Sequence, residues 1–218
     1  MPPDLITKTA NYVKMRLEGE MGAHDWWHIE RVWKMAKHLQ SKEGGDSELV
    51  ELSALLHDLG HNRQLDVLEK IKGPLMLRGM MDILEIEPER QEQMINIITE
   101  IQYLGSETKV PATLEGKIVQ DADLLESIGA IGMARSFTMG GIVGRPIYDP
   151  RRKIRKKLSK EEYLYKKKEG TTFNYFYEKL LRLPEMMNTK TAKELAEGRA
   201  KFIEQFAAEF LAECELKK

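Results

Sequence analysis

Apolar residues recur at helical spacing along most of the chain. Tyr12, Val13, Met15 and Leu17 predict a first amphipathic helix over 9–17, which Gly19 and Gly22 end. Ile29, Val32, Trp33, Ala36 and Leu39 form the stripe of a second helix over about 26–40, closed by Gly44 and Gly45. Asp46 or Ser47 caps a third helix through Leu49, Leu52, Leu55 and Leu56, which carries His57 and Asp58 to its C-terminal end before Gly60. Segment 64–84 is helix-like but interrupted at Gly73 and Pro74. Pro88 opens a helix to about 103, and Thr113 or Leu114 opens another through Lys117, Val119 and Leu124. That pattern breaks near Gly129 and Gly132 and continues towards Phe137. Gly140, Gly141, Gly144, Pro146 and Pro150 then crowd together ahead of the basic run RRKIRKK at 151–157, which predicts a loop. Helix returns over about 173–187, with Pro184 as an end or kink, and Thr189 or Thr191 caps a last helix over 192–215. No series of alternating strands and no internal repeat is visible. The expectation is an all-α fold, one helical domain over 1–218. It has a core at about 20–137, a mobile basic loop at about 138–172 and C-terminal helices at about 173–215.

A chain of 218 residues can bury a core of useful size without covalent staples. Its apolar share of 42% and charged share of 32% are those of an ordinary soluble protein. A net charge of −1 gives no overall attraction to nucleic acid or to an anionic membrane, so any anion must be held by a local patch. The single cysteine, Cys214, cannot form an internal disulfide and reads as an ordinary helix residue, which fits a reducing compartment. The opening MPPDLITKTA lacks a basic segment followed by an apolar one, and no apolar run approaches the ~20 residues of a membrane span. A cytoplasmic protein without a membrane partner is expected.

Candidate chemistry gathers in three stretches. Four of the five histidines form two pairs at i, i+4 spacing, His24 with His28 and His57 with His61. His38, between Lys37 and Leu39, reads as an ordinary helix residue. His57 and Asp58 close the apolar run Ala54-Leu55-Leu56, so two ionisable groups reach a partly buried helix end. Burial of a carboxylate is costly without a cation or hydrogen bonds. A divalent metal offsets that cost, and so does a salt bridge. Asp121-Ala122-Asp123 adds two carboxylates, which a helix points roughly 200° apart. One can face an ion, and both can instead be dipole-favoured acids near a helix N-terminus.

The ordered set of His24-Asp25-Trp26-Trp27-His28-Ile29-Glu30-Arg31-Val32, then Leu55-Leu56-His57-Asp58-Leu59-Gly60, then Gln120-Asp121-Ala122-Asp123 resembles the HD-domain phosphohydrolase superfamily. It is most similar there to small stand-alone bacterial and archaeal members. A segment over 128–135, a Gly144-Arg145-Pro146 stretch and a helix over 173–180 extend the likeness across about residues 20–212. The resemblance implies a helical core of the HD type and one divalent metal ion, Mn²⁺ first, with Mg²⁺, Fe²⁺, Ni²⁺, Co²⁺ or Zn²⁺ as alternatives. It implies His28, His57, Asp58 and Asp123 as ligands, with Asp121 as the alternate or as a partner orienting a histidine.

The implied activity is hydrolysis of a phosphate ester or anhydride. The substrate is a small phosphorylated molecule, expected to be a nucleotide, with a nucleoside triphosphate cut to monophosphate and pyrophosphate as one form. His61, Asp58 and His24 are the catalytic candidates. His61 stands where related hydrolases carry a glutamate, an aspartate or a lysine, so phosphate binding or a plain turn residue stays open for it. His24, Arg31, Lys117 and Arg145 are the candidate substrate contacts. For His24-Asp25 the other reading is helix capping by Asp25. For Arg31 it is a surface ion pair, and for Lys117 a pair with Asp121. Arg145 would clamp a phosphate from the glycine-rich loop. Trp26, Trp27 and the methionines of 75–81 and 186–187 read as packing first. A non-catalytic module that binds metal and nucleotide is the alternative. Nucleic-acid binding through 151–157 is disfavoured by the charge balance, and a homo-oligomer is compatible with the sequence.

Overall fold

A computed structural model of the chain describes residues 4–20, 24–59, 69–166 and 168–217. All regular structure among the described residues is helical. The chain divides into two compact units, one of residues 1–102 and 110–122, the other of residues 103–109 and 123–218.

The first unit is organised by a central helix. Its elements are α1 (Leu5–Arg16), α2 (Trp26–Glu43), α3 (Ser47–Leu56), α4 (Glu69–Ile83), α5 (Pro88–Glu100) and the start of α6 (Leu114–Glu126). Helix α3 packs against α1, α2 and α5. Its Leu49, Val50, Leu52, Ser53, Ala54, Leu55 and Leu56 are all buried, so almost its whole surface is core. A helix apolar all round has nowhere else to go. Its N-terminus is pinned three ways. Asp46 accepts a hydrogen bond from the Leu49 amide at 2.9 Å, takes Arg90 at 2.6 Å and donates its own amide to Glu115 at 3.0 Å. The Leu49 amide, helped by Arg90, holds the Asp46 carboxyl below its ordinary range. The cap therefore stabilises at neutral pH and weakens only as pH falls through that lowered value.

Pro74 does not interrupt α4, contrary to the break expected there. It is the sixth residue of that helix, where its missing N–H leaves one i→i−4 bond unmade while the helix continues. The turn into α5 is set by the buried Gln91, whose amide donates to Asp82 and to the Ile86 carbonyl, both at 2.9 Å. Met80, Met81 and Met187 are packing residues as read from the sequence, whereas Met76 is 49% exposed.

The second unit holds α7 (Gly129–Ile142), α8 (Lys160–Tyr165), α9 (Thr172–Glu178), a 3₁₀ segment (Leu180–Met186) and α10 (Lys190–Cys214). Helix α7 packs against α9 and α10. Between them lies a ring cluster: Phe137, Phe173, Phe176, Phe206 and Phe210, with Tyr148 at its edge. Helix α7 runs five residues beyond the Phe137 end expected for it. Gly140 is a packing glycine there, because a Cβ on it would lie 2.1 Å from the Thr172 hydroxyl. The true stop is Gly144, at φ +69°, beyond which the Arg145 amide bonds back to the Gly140 carbonyl at 2.8 Å.

The 138–172 stretch thus contains the end of α7 and all of α8. Three arginines of the basic run have partners. Arg151 pairs with Asp149, Arg152 donates to the Lys168, Glu169 and Gly170 carbonyls, and Arg155 binds Glu178. These ties make part of the run structural rather than a free cationic face.

Candidate metal centre

Helices α2 and α3 bring three histidines to one carboxylate. Asp25 starts α2 by accepting the His28 amide at 2.9 Å. This cap leaves His24 just outside the helix and His28 one turn in. Helix α3 ends at Leu56, and its last core leucines force His57 inward, 2% exposed. The Asp58 Oδ2 atom lies 2.9 Å from His24 Nδ1, 3.2 Å from His28 Nε2 and 3.7 Å from His57 Nε2. The His28 ring meets those of His24 and His57 edge-on, at centroid distances of 5.3 and 5.4 Å.

The hydrogen-bond pattern decides which nitrogens are donors. The Ala54 carbonyl accepts from His57 Nδ1 at 2.8 Å, and a carbonyl can only accept. His57 Nδ1 therefore carries the proton in the neutral ring, and Nε2 presents a lone pair toward Asp58. One imidazole nitrogen held by a carbonyl so that the other points inward is how histidine ligands are usually oriented. His24, His28 and Asp58 offer ligand atoms all within 4.8 Å of one another, and His28 and His57 meet the same limit. Lone pairs and a carboxylate oxygen packed this tightly repel unless a cation or a proton lies among them. The donor set of imidazole and carboxylate fits a divalent first-row ion.

The other candidates are distributed as follows. His61 lies outside the described residues. Arg31, on α2, and Lys117, on α6, are half-buried. Helix α6 continues unbroken from the first unit through Ala122 to Glu126, with Asp121 wholly buried and Asp123 half-buried on different sides. Arg145 belongs to the second unit. His38 is exposed. Trp27 is 56% exposed, and with Trp26, Met15, Lys14 and Asp25 it lines an open cavity of about 650 Å³, so it is not core. The sequence offered no signal for the Ala54 carbonyl, because a backbone acceptor carries no residue signature.

Asp25→Ala is expected to destabilise the protein by about 1 kcal/mol, the usual cost of a lost N-cap. A thermal melt checks this, and an unchanged midpoint would show that the cap carries no weight.

Residues 26–128 match the HD domain. Over 201 residues the chain is 36% identical to YpgQ of Bacillus subtilis, an uncharacterised protein, covering 89% of this chain and 86% of YpgQ. The chain belongs to the HD-domain superfamily.

The HD-domain match runs from the first residue of α2 to just past α6. Solved structures agree along nearly the whole chain. A crystal structure of a Lactobacillus plantarum protein has a TM-score of 0.86 at 32% identity, covering 99% of this chain and 100% of that one. A Bacillus thuringiensis protein described as an HD-superfamily hydrolase has a TM-score of 0.71 at 37% identity, covering 96% of each chain. YpgQ itself has been solved in complex with ADP, with a TM-score of 0.71 at 32% identity, covering 94% of this chain and 95% of that one. HD-superfamily members are generally metal-dependent hydrolases. No described helix of this HD protein is long and apolar enough to cross a membrane.

Proposed function

We propose that this HD protein is a metal-dependent phosphohydrolase acting on a nucleotide. The observation that carries the reading is the convergence of His24, His28 and His57 nitrogens on one Asp58 oxygen. His28, His57 and Asp58 are assigned as ligands. Asp123 is assigned as the fourth, from the ordered motif and because α6 carries it one residue beyond Ala122. Asp121, fully buried, is assigned a supporting role or that of alternate ligand. A bound dication would supply an acidified water and neutralise charge on a phosphoryl oxygen.

The remaining roles belong to the chain's own groups. His24 is the most exposed member of the cluster and donates from Nδ1 to Asp58. It is assigned to move a proton at the mouth of the centre or to contact phosphate, with His61 as the second candidate. Arg31 and Lys117 are assigned as phosphate contacts. Mn²⁺ is the first choice of ion, since it suits mixed nitrogen and oxygen donors. The ADP bound in the YpgQ structure favours a nucleotide as substrate over other phosphate esters. Cleavage of a nucleoside triphosphate to monophosphate and pyrophosphate is the finer form of this proposal.

A panel of nucleotides incubated with Mn²⁺ and with the other divalent ions tests it. Phosphate or pyrophosphate should be released from at least one nucleotide, and EDTA should stop the release. Tight nucleotide binding without product under every metal would convert the protein into a binding module.

A further inference from the structure

The second unit gathers cations around one tyrosine. Arg145 follows Gly144 at the end of α7, and its guanidinium carbon lies 4.7 Å from the Tyr175 ring centroid. Lys179 Nζ lies 5.7 Å from the same ring, and 4.3 and 5.2 Å from those of Tyr103 and Tyr163. Lys179 is 8% exposed, so its ammonium is largely taken from water. Arg155 adds a third cation, paired through Nη2 with Glu178, itself 1% exposed, although its buried Nε and Nη1 make no hydrogen bond among the described residues. Glu178 accepts from the Arg155 guanidinium at 2.6 Å and from the Arg155 amide at 3.0 Å, which engages both carboxylate oxygens.

Among the described residues no carboxylate pairs with Arg145, and its buried Nε has no hydrogen-bond partner. Burial pushes the Arg145 guanidinium below the ordinary arginine range, against the pull of Tyr175 and Glu178. It stays charged at neutral pH regardless, as arginine does in proteins. A desolvated guanidinium donor without an acceptor is costly, and an oxyanion with several lone pairs is the ligand that relieves it. The stacked tyrosine holds the fork rigid, which lowers the cost of ordering it on binding.

We propose that Arg145 and Lys179, braced on Tyr175, form a site for a phosphate oxyanion that uses none of the histidine and aspartate side chains and needs no metal. This deepens the phosphohydrolase reading and rests on it only for the choice of phosphate. The oxyanion can come from the phosphate chain of a nucleotide or from free pyrophosphate, and two arms of the test separate these.

The test is calorimetric binding of inorganic pyrophosphate, ADP and adenosine in EDTA, with the wild type, Arg145→Gln, Arg145→Lys, Lys179→Met and His57→Ala. The wild type and His57→Ala should bind pyrophosphate and ADP equally well, and adenosine should not bind. Arg145→Gln and Lys179→Met should each lose about tenfold or more in affinity for both ligands, and Arg145→Lys should lose less. ADP tighter than pyrophosphate marks the nucleotide as the source, and equal affinities mark free pyrophosphate. Either pattern supports the site. Melting temperatures verify that each variant is folded, and the two separate cation variants keep the test open if one of them is not. Wild-type affinity in folded Arg145→Gln overturns the proposal. So does loss of binding in His57→Ala, or no binding by the wild type. Turnover with Mn²⁺ but no metal-free anion binding would sink this site and leave the hydrolase reading standing.

Discussion

His57→Ala is expected to lower nucleotide turnover on the order of 10²–10³-fold, the scale of losing one group that stabilises transition-state charge. The His57 ring is buried, its Nδ1 is fixed on the Ala54 carbonyl, and its Nε2 faces Asp58. Alanine removes that lone pair from the cluster. The shift in melting temperature produced by Mn²⁺ should vanish as well, since an ion that binds only the folded state stabilises it in proportion to its affinity. His38→Ala is the control, because His38 is exposed and lies outside the cluster. Turnover measured at saturating Mn²⁺, with the melt beside it, checks both halves. A His57→Ala protein that turns over at the wild-type rate and still responds to Mn²⁺ would remove the chemical basis of the assignment.

Phe176→Ala is expected to cost about 3–5 kcal/mol of stability, the range for deleting a buried aromatic ring. Phe176 is fully buried, with the Phe137, Phe173 and Phe206 rings at 5.6, 5.8 and 5.9 Å. Those rings come from α7, α9 and α10, three helices that cannot all move inward to fill one vacated site. The loss should appear in urea as a lower midpoint with little change in slope. Phe202→Ala, 46% exposed on α10, should stay within about 0.5 kcal/mol of wild type. Because α9 also carries Tyr175, a loosened Phe176 site should weaken anion binding at Arg145 too. A loss below about 1 kcal/mol would mean that the ring cluster does not act as a cooperative core.

The elements that were legible in the sequence share a feature: their signals are local. Asp46 caps α3 and Thr189 caps α10, both among the capping residues read from the chain. The apolar run of α3 announced a helix buried nearly all round, and the doublet at its end announced where charge would meet the core. Where the reading went astray, a distant contact was the reason. Gly140 and Gly141 read as a loop, yet α7 passes through them, because Gly140 answers to Thr172 rather than to its own backbone. The basic run read as a loop and all of it but Arg155 is exposed, yet Arg155 is tied to Glu178 and Arg152 to carbonyls at 168–170. Lys179 and Tyr175 raised no signal, since a lysine and a tyrosine at i, i+4 are ordinary on any helix.

By itself the sequence determined the helical class, most helix starts and the order of the metal-capable residues. Capping and amphipathic periodicity act within a turn or two, so the order of residues suffices to specify them. Only the tertiary structure decided that three imidazoles, one on α2, one just ahead of its cap and one at the C-cap of α3, converge on a single carboxylate oxygen. It alone decided that His57 presents Nε2 rather than Nδ1, and that Arg145 is desolvated against Tyr175. Those outcomes depend on how helices far apart in the chain pack, and packing is settled by the shapes of whole faces rather than by any one residue's neighbours.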